Sequence, residues 1–396
     1  MIGTRLDEVD APRLLHSDRG WWFVGNQTWT LLRPEQAAAD GTVRSDAEDF
    51  LRGSGAYRPR RPRSFSLTVL TSTACNLGCG YCFQNTAAAS GPGDRFRPPR
   101  IDRLRLARPV VDRIVDFTAQ RMAGAGLDRL YLLLFGGEPL LNPQGCLDLL
   151  ERTGPIGRDM ATMTTNGVLL TESLAVELAD AGLRGAQITF DGSRVDHDEV
   201  RVRHSGGPTF DTIVDNLARS TEVTDLRWNL RVNVSHRNVD RVGRLFDELA
   251  GRFDPGRCAV TFAWVGDSGV GYSNDLAFVD AVSDAFVDWS VRALEAGYHV
   301  ARPSMRTTCQ ICSEPGGRQG AVVNADGTLY SCWQSAGKPG WEVGTVDAGY
   351  LDVAQVRDRW VTCGYEYQQA DTAQVERFQD AVDGRLLDYL HASGRL

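Results

Sequence analysis

The sequence predicts an α/β protein built on a partial (β/α)6 TIM-like barrel, with a small N-terminal cap and a cysteine-rich C-terminal domain. Six short apolar runs alternate with amphipathic segments, and such alternation implies a parallel sheet with right-handed crossovers. At 396 residues the chain exceeds the ~250–300 at which one core stops growing, so one large domain with appendages is expected. Nine cysteines gather mainly in two clusters, one just after the first run and one beyond the last. The division reads as a cap over residues 1–63, a barrel over 64–300 and a cysteine-organised domain over 301–396.

In the cap, two Trp-rich apolar runs (20–24 and 28–32) lead into a Gly- and Pro-punctuated stretch, 53–63. Barrel strands are expected at 67–73, 130–135, 161–165, 186–190, 229–234 and 259–265. Amphipathic helices are expected near 104–122, 143–152, 171–181, 210–220 and 238–252. The stretch 87–99, containing Gly, Ser and Pro, reads as a mobile loop. A helix near 275–296 leads to the segment 309–345, which lacks long periodic runs, and a last helix is expected near 373–391.

Composition excludes several classes. With 42% hydrophobic and 24% charged residues, and no window near the ~18 apolar residues of a span, no membrane role is expected. The formal charge is −8, Lys338 is the sole lysine, and the only basic run (Arg58, Arg60, Arg61, Arg63) reads as a solvated linker, so no nucleic-acid partner is expected. Early acids and no apolar h-region at the start point to a cytoplasmic protein. Thiols there stay reduced, so clustered cysteines bind metal or react.

The first cluster, Cys75, Cys79 and Cys82, is a CxxxCxxC loop at the C-terminal end of the first barrel strand, where barrel active sites are built. Three thiolates suit three corners of an iron–sulfur cubane and leave one iron open, whereas a structural zinc site closes its shell with four ligands. The residue-level alternative is a zinc knuckle with a distant fourth ligand. Strand two ends in Phe135-Gly136-Gly137-Glu138-Pro139, whose glycines let backbone approach a ligand. Strands three to five end in or contain Asn166, Thr189 and Asp191, and Arg231 with Asn233. Singly, the Asn, Asp and Gly positions are ordinary strand-terminating residues.

Together these motifs resemble the radical S-adenosylmethionine superfamily over roughly residues 66–265, including Tyr81 just before the last cysteine, which the resemblance places near the adenine. It implies a [4Fe–4S] cluster on Cys75, Cys79 and Cys82, with Gly136, Gly137, Glu138 and Pro139 holding the methionyl amino group. It also implies S-adenosylmethionine contacts from Asn166, Thr189, Asp191 and Arg231, the second and fourth toward ribose or carboxylate. The segment from Asp191 through His197, Asp198 and Arg201 to Asp211 is similar to the subfamily with C-terminal SPASM or twitch domains.

Cys309, Cys312, Cys332 and Cys363, with Gly327 opening a GxxxxC turn, resemble the first half of a SPASM domain. They imply one auxiliary [4Fe–4S] cluster, and the absence of a later cysteine run implies a twitch-like, two-cluster enzyme. Zinc is the alternative for these four. Cys146 and Cys258 remain, in apolar contexts expected to be core. In sulfatase-maturing relatives an Asp follows the GxxxxC cysteine; Trp333 stands here and argues against that activity.

The resemblance implies reductive cleavage of S-adenosylmethionine, fed by a low-potential donor such as flavodoxin or ferredoxin. The expected substrate is a ribosomally synthesised precursor peptide. The alternatives are a dehydrogenase or epimerase of a small sugar or aminocyclitol, and a non-catalytic zinc-organised binding protein. The cap is a candidate leader-peptide module, and Asp267 and Tyr272 are candidate substrate contacts at the barrel mouth.

Overall fold

The structure is a computed structural model describing residues 11–59, 63–84, 101–266, 274–277, 280–306, 309–362 and 372–396. Cys363, Asp267, Tyr272, Arg60, Arg61 and the 87–99 stretch lie outside the described residues.

The cap is a three-stranded antiparallel sheet, β1 (Arg13–Ser17), β2 (Gly20–Gly25) and β3 (Thr28–Leu31), followed by α1 (Ser45–Gly53). The barrel then runs β4 (Ser64–Ser72), α2 (Arg108–Ala125), β5 (Arg129–Gly136), α3 (Pro143–Thr153), β6 (Arg158–Thr165), α4 (Glu172–Asp180) and β7 (Gly185–Phe190). It continues through α5 (Arg194–Val200), α6 (Phe210–Val223), β8 (Arg227–Val234), α7 (Arg244–Leu249) and β9 (Cys258–Trp264). All six expected barrel strands form, and neighbours in sequence pair in parallel register from β4 to β9.

After α8 (Asp280–Glu295), β10 (His299–Val300) adds in parallel to β9. On the far side β11 (Gly320–Val323) pairs in parallel with β4, and β12 (Thr328–Tyr330), β13 (Gly344–Thr345) and β14 (Gly349–Tyr350) extend the sheet antiparallel. Among the described residues the sheet has eleven strands, and β4 joins the barrel to the cysteine-rich segment through backbone pairing. The chain ends with α9 (Val353–Val356) and α10 (Thr372–Ala392).

Parallel strands bury both faces, and β4 shows it: Phe65, Leu67 and Val69 enter the main core with Leu132, Leu134 and Ile188. Leu70 packs instead against Ile311, Val322, Tyr330 and Ala336 on the C-terminal side. Cys146 and Cys258 are fully buried core residues, as their apolar contexts predict. The helix expected over 238–252 is shorter. Asn238 spends its carboxamide on the carbonyls of Asp191 and Asn233 (2.9 and 2.8 Å), which holds this stretch as turns until Arg244.

Candidate active site

The cysteine loop leaves the C-terminal end of β4 and is tied to the end of β5 by backbone. Gly137 donates to the Ser72 carbonyl (2.9 Å) and Glu138 N–H to that of Ala74 (2.8 Å). This approach needs glycine: a Cβ on Gly136 would stand 2.1 Å from the Ser72 oxygen, and one on Gly137 2.4 Å from that of Ala74. Gly136 also has φ +142°, a backbone that L side chains rarely adopt.

Glu138 is fully buried, and its carboxylate accepts from Leu140 N–H (2.9 Å), the Thr165 hydroxyl (2.7 Å) and Asn166 N–H (2.7 Å). Burial raises its pKa against these hydrogen bonds. It thus locks the end of β6 to the end of β5. Asn166 in turn donates its carboxamide to Asn76 Oδ1 (2.7 Å) and to Cys75 Sγ (3.8 Å), while Leu77 N–H points at the same sulfur (3.4 Å).

Tyr81 is the hub of a second network. Its hydroxyl donates to Asp191 Oδ2 (2.8 Å) and accepts from Arg201 Nη1 (3.0 Å) and Asn233 Nδ2 (2.9 Å), and Arg231 Nε donates to Asn233 Oδ1 (3.0 Å). Arg201 and Asp191 form a buried ion pair at 3.5 Å. Burial and then the Asp191 carboxylate hold the Tyr81 phenol well above its usual range, and burial lowers Arg231. For Arg201, burial opposes the charge but Tyr81, Cys79 and Asp191 outweigh it, so the guanidinium stays charged. Thr189 is buried on β7 opposite Arg231 on β8.

The structure therefore brings Cys75, Tyr81, Gly136, Gly137, Glu138, Asn166, Asp191 and Arg231 to one end of the sheet. Pro139 and Leu140, just beyond, are buried. Asn76 and Asn238 were not singled out from sequence; each is an isolated Asn, and only the fold supplies its partners.

The donor set fits an iron–sulfur cluster. Burial pushes the Cys75 thiol up to about 12 and that of Cys79 up to about 11, with Cys82 adding to both. Burial thus favours the neutral thiols, and a metal bound at the sulfurs would supply the charge that holds them as thiolates. Amide N–H groups aimed at Cys75 are the kind of contact that tunes a cluster. Among the described residues no three His, Cys, Asp or Glu side chains converge on a point as ligands of a single ion would. A cubane spreads its thiolates over separate irons.

Cys309 packs against the cluster of Leu70, Ile311 and Tyr330, Cys332 packs with Val361, and Trp341 touches both groups. The Ser331 hydroxyl accepts from Val361 N–H (2.9 Å), and Trp360 Nε1 donates to the Cys312 carbonyl (3.0 Å). Cys309, Cys312 and Cys332 thus lie in the part of the C-terminal segment built around Trp341, Trp360 and Val361. Trp333 reaches back to the barrel: Phe83, Phe135 and Trp333 form a ladder with centroid spacings of 6.4 and 6.1 Å.

Comparison with known proteins extends this picture. Residues 69–249 match the family model of the radical SAM superfamily. The probable GTP 3′,8-cyclase of Methanothermobacter marburgensis is 31% identical over 133 residues, covering 33% of this chain and 36% of that protein. The GTP 3′,8-cyclase of Synechococcus sp. (strain CC9902) is 32% identical over 197 residues, covering 47% and 50%. The chain thus spans about a third to half the length of these curated relatives. Among solved structures, native anSMEcpe with bound AdoMet and Kp18Cys peptide superposes with TM-score 0.59 at 16% identity, covering 83% of this chain and 99% of that one. Streptococcus suis SuiB bound to precursor peptide SuiA gives 0.52 at 16% identity, covering 75% and 65%.

Proposed function

We propose that the chain is a radical SAM enzyme, a reading supported by the match of residues 69–249 to that superfamily, and that it modifies a ribosomally made peptide using one radical-generating and one auxiliary iron–sulfur cluster. The observation that carries the peptide reading is the extent of the fold likeness. It covers 83% of this chain, well beyond the barrel, and the matched structure holds a peptide.

Cys75, Cys79 and Cys82 would hold the radical cluster, and Cys309, Cys312, Cys332 and Cys363 the auxiliary one. When bound, the first cluster and S-adenosylmethionine supply a 5′-deoxyadenosyl radical that takes hydrogen from a substrate carbon. Asn166 and the Leu77 amide orient Cys75. The Gly136–Glu138 backbone presents its peptide groups beside the cysteine loop. Tyr81, Asp191, Arg201 and Asn233 satisfy one another in a buried set that also holds Arg231 through Asn233, and Arg231 and Thr189, its neighbour across the strands, would face the cofactor. Electrons would come from a flavodoxin- or ferredoxin-like donor.

The test is anaerobic reconstitution with iron and sulfide, followed by assay of 5′-deoxyadenosine. Wild type should form it, and a Cys75→Ala/Cys79→Ala/Cys82→Ala variant should lose about four irons and all cleavage. Zinc in place of iron would overturn the reading. The sequence matches favour a second substrate, a nucleotide, since the GTP 3′,8-cyclases share 31–32% identity over part of the chain. Stimulation of cleavage by GTP would replace the peptide.

A further inference from the structure

Among 43 basic residues Lys338 is the one lysine, and its side chain is 0% exposed. A buried ammonium is costly unless anions lie close by. The turn after β12 delivers it: the Cys332 carbonyl accepts from Ser335 and Ala336 N–H (3.2 and 3.1 Å), and Lys338 N–H bonds to the Ser335 carbonyl (3.0 Å). This turn carries the chain back against the barrel. Gly337, at φ +78°, lies so close to Ile101 that a Cβ there would meet its methyl at 2.8 Å.

The acidic groups that act on Lys338 are Cys332 first and Cys82 second, one from each cysteine loop. The residues that follow these two cysteines, Phe83 and Trp333, are joined through Phe135 in the aromatic ladder, so the loops approach each other independently of the lysine. Clusters held by thiolates carry net negative charge, and each would stabilise the ammonium from its own side.

We infer that Lys338 is a positioning cation shared by the two cysteine loops, raising the reduction potentials of both clusters from one buried ammonium. It rests on the reading that both loops hold iron–sulfur clusters. Reduction adds negative charge to a cluster, a nearby buried cation favours that form, and low surrounding polarity lets one charge act on both.

Wild type, Lys338→Met and Lys338→Arg are reconstituted anaerobically, iron and sulfide are counted, and both clusters are titrated against potential by electron paramagnetic resonance. In K338M both potentials should fall by about 59 mV or more, a tenfold loss of reduced cluster at fixed potential, with about eight irons retained. K338R should stay near wild type. Loss of iron in K338M but not in K338R would also show the charge at work. Unmoved potentials in fully loaded K338M, a shift confined to one cluster, or loss of iron in both variants would overturn the inference. Wild type holding only about four irons would fail the two-cluster reading itself, and is seen before any variant is compared.

Discussion

At the residue scale, Tyr81 decides how far the cysteine loop is fixed, because its hydroxyl uses its donor and both lone pairs inside the protein. Tyr81→Phe keeps the ring but leaves Asp191, Arg201 and Asn233 each one hydrogen bond short. Stability should fall by about 1–3 kcal/mol, read from the urea midpoint of the metal-free protein, with weaker S-adenosylmethionine binding by calorimetry. A second residue sets acid sensitivity. His197 is buried between Phe190 and Phe210, its Nε2 lies 3.1 Å from Thr209 Oγ1, and Nδ1 finds no partner among the described residues. Burial, and then Arg201, hold its pKa well below 6.5. The unfolded imidazole takes a proton near 6.5 that the folded one refuses, so this contribution is complete above 6.5 and is lost as pH falls. The loss approaches about 1.4 kcal/mol per pH unit. His197→Gln should flatten that part of the slope in urea midpoints measured from pH 7 to 5. The CxxxCxxC and GGEP motifs were legible because their chemistry is local in sequence. The partners of Tyr81 were not, since Arg201 and Asn233 lie 120 and 152 residues away and nothing in the spacing links them.

At the scale of elements, the six barrel strands were legible because doubly buried parallel strands read as continuous apolar runs. The short strands β10 to β14 were not, because two to four residues carry no period. Neither was the partner of the cap. The Trp-rich hairpin packs on the last helix and the end of α8: Leu15, Trp22 and Val24 meet Leu386, Leu387 and Leu390 of α10 and Leu294 of α8. Trp22 Nε1 donates to Asp388 Oδ1 (2.8 Å), and Arg13 pairs with Asp380 and Asp383 (2.6 and 2.7 Å). The helix lies so near β1 that a Cβ on Gly384 would stand 2.6 Å from the His16 carbonyl oxygen. Removing residues 1–60 to ask whether the cap reads a leader peptide therefore also uncovers α10. Point changes at its outer residues, such as the half-exposed Leu14, separate the two effects. The packing itself is checked with Leu387→Ala, fully buried between cap and helix, which should cost about 2–5 kcal/mol in chemical denaturation.

At the scale of the whole molecule, one sheet runs unbroken from β10 to β14, and β4 sits at its centre of function, with the first cysteine loop at its end and the cysteine-rich segment paired along its side. That arrangement makes a definite claim about what each half needs. The pairing of β11 with β4 uses backbone groups, and the packing of Leu70 against Val322, Tyr330 and Ala336 uses apolar side chains; neither depends on iron. Emptying the C-terminal cysteines should then loosen the segment around Trp341, Trp360 and Val361 while leaving β4, Glu138 and the Tyr81 network in place. A Cys309→Ser/Cys312→Ser/Cys332→Ser variant is expected to fall from about eight irons to about four, to melt at a lower temperature, and still to form 5′-deoxyadenosine at a rate near that of wild type. Iron analysis, calorimetry and a cleavage assay without substrate read the three separately. Loss of cleavage with the four remaining irons intact would mean that the halves are coupled through more than the shared strand, and would point to the Phe83, Phe135 and Trp333 ladder, or to Lys338, as the route.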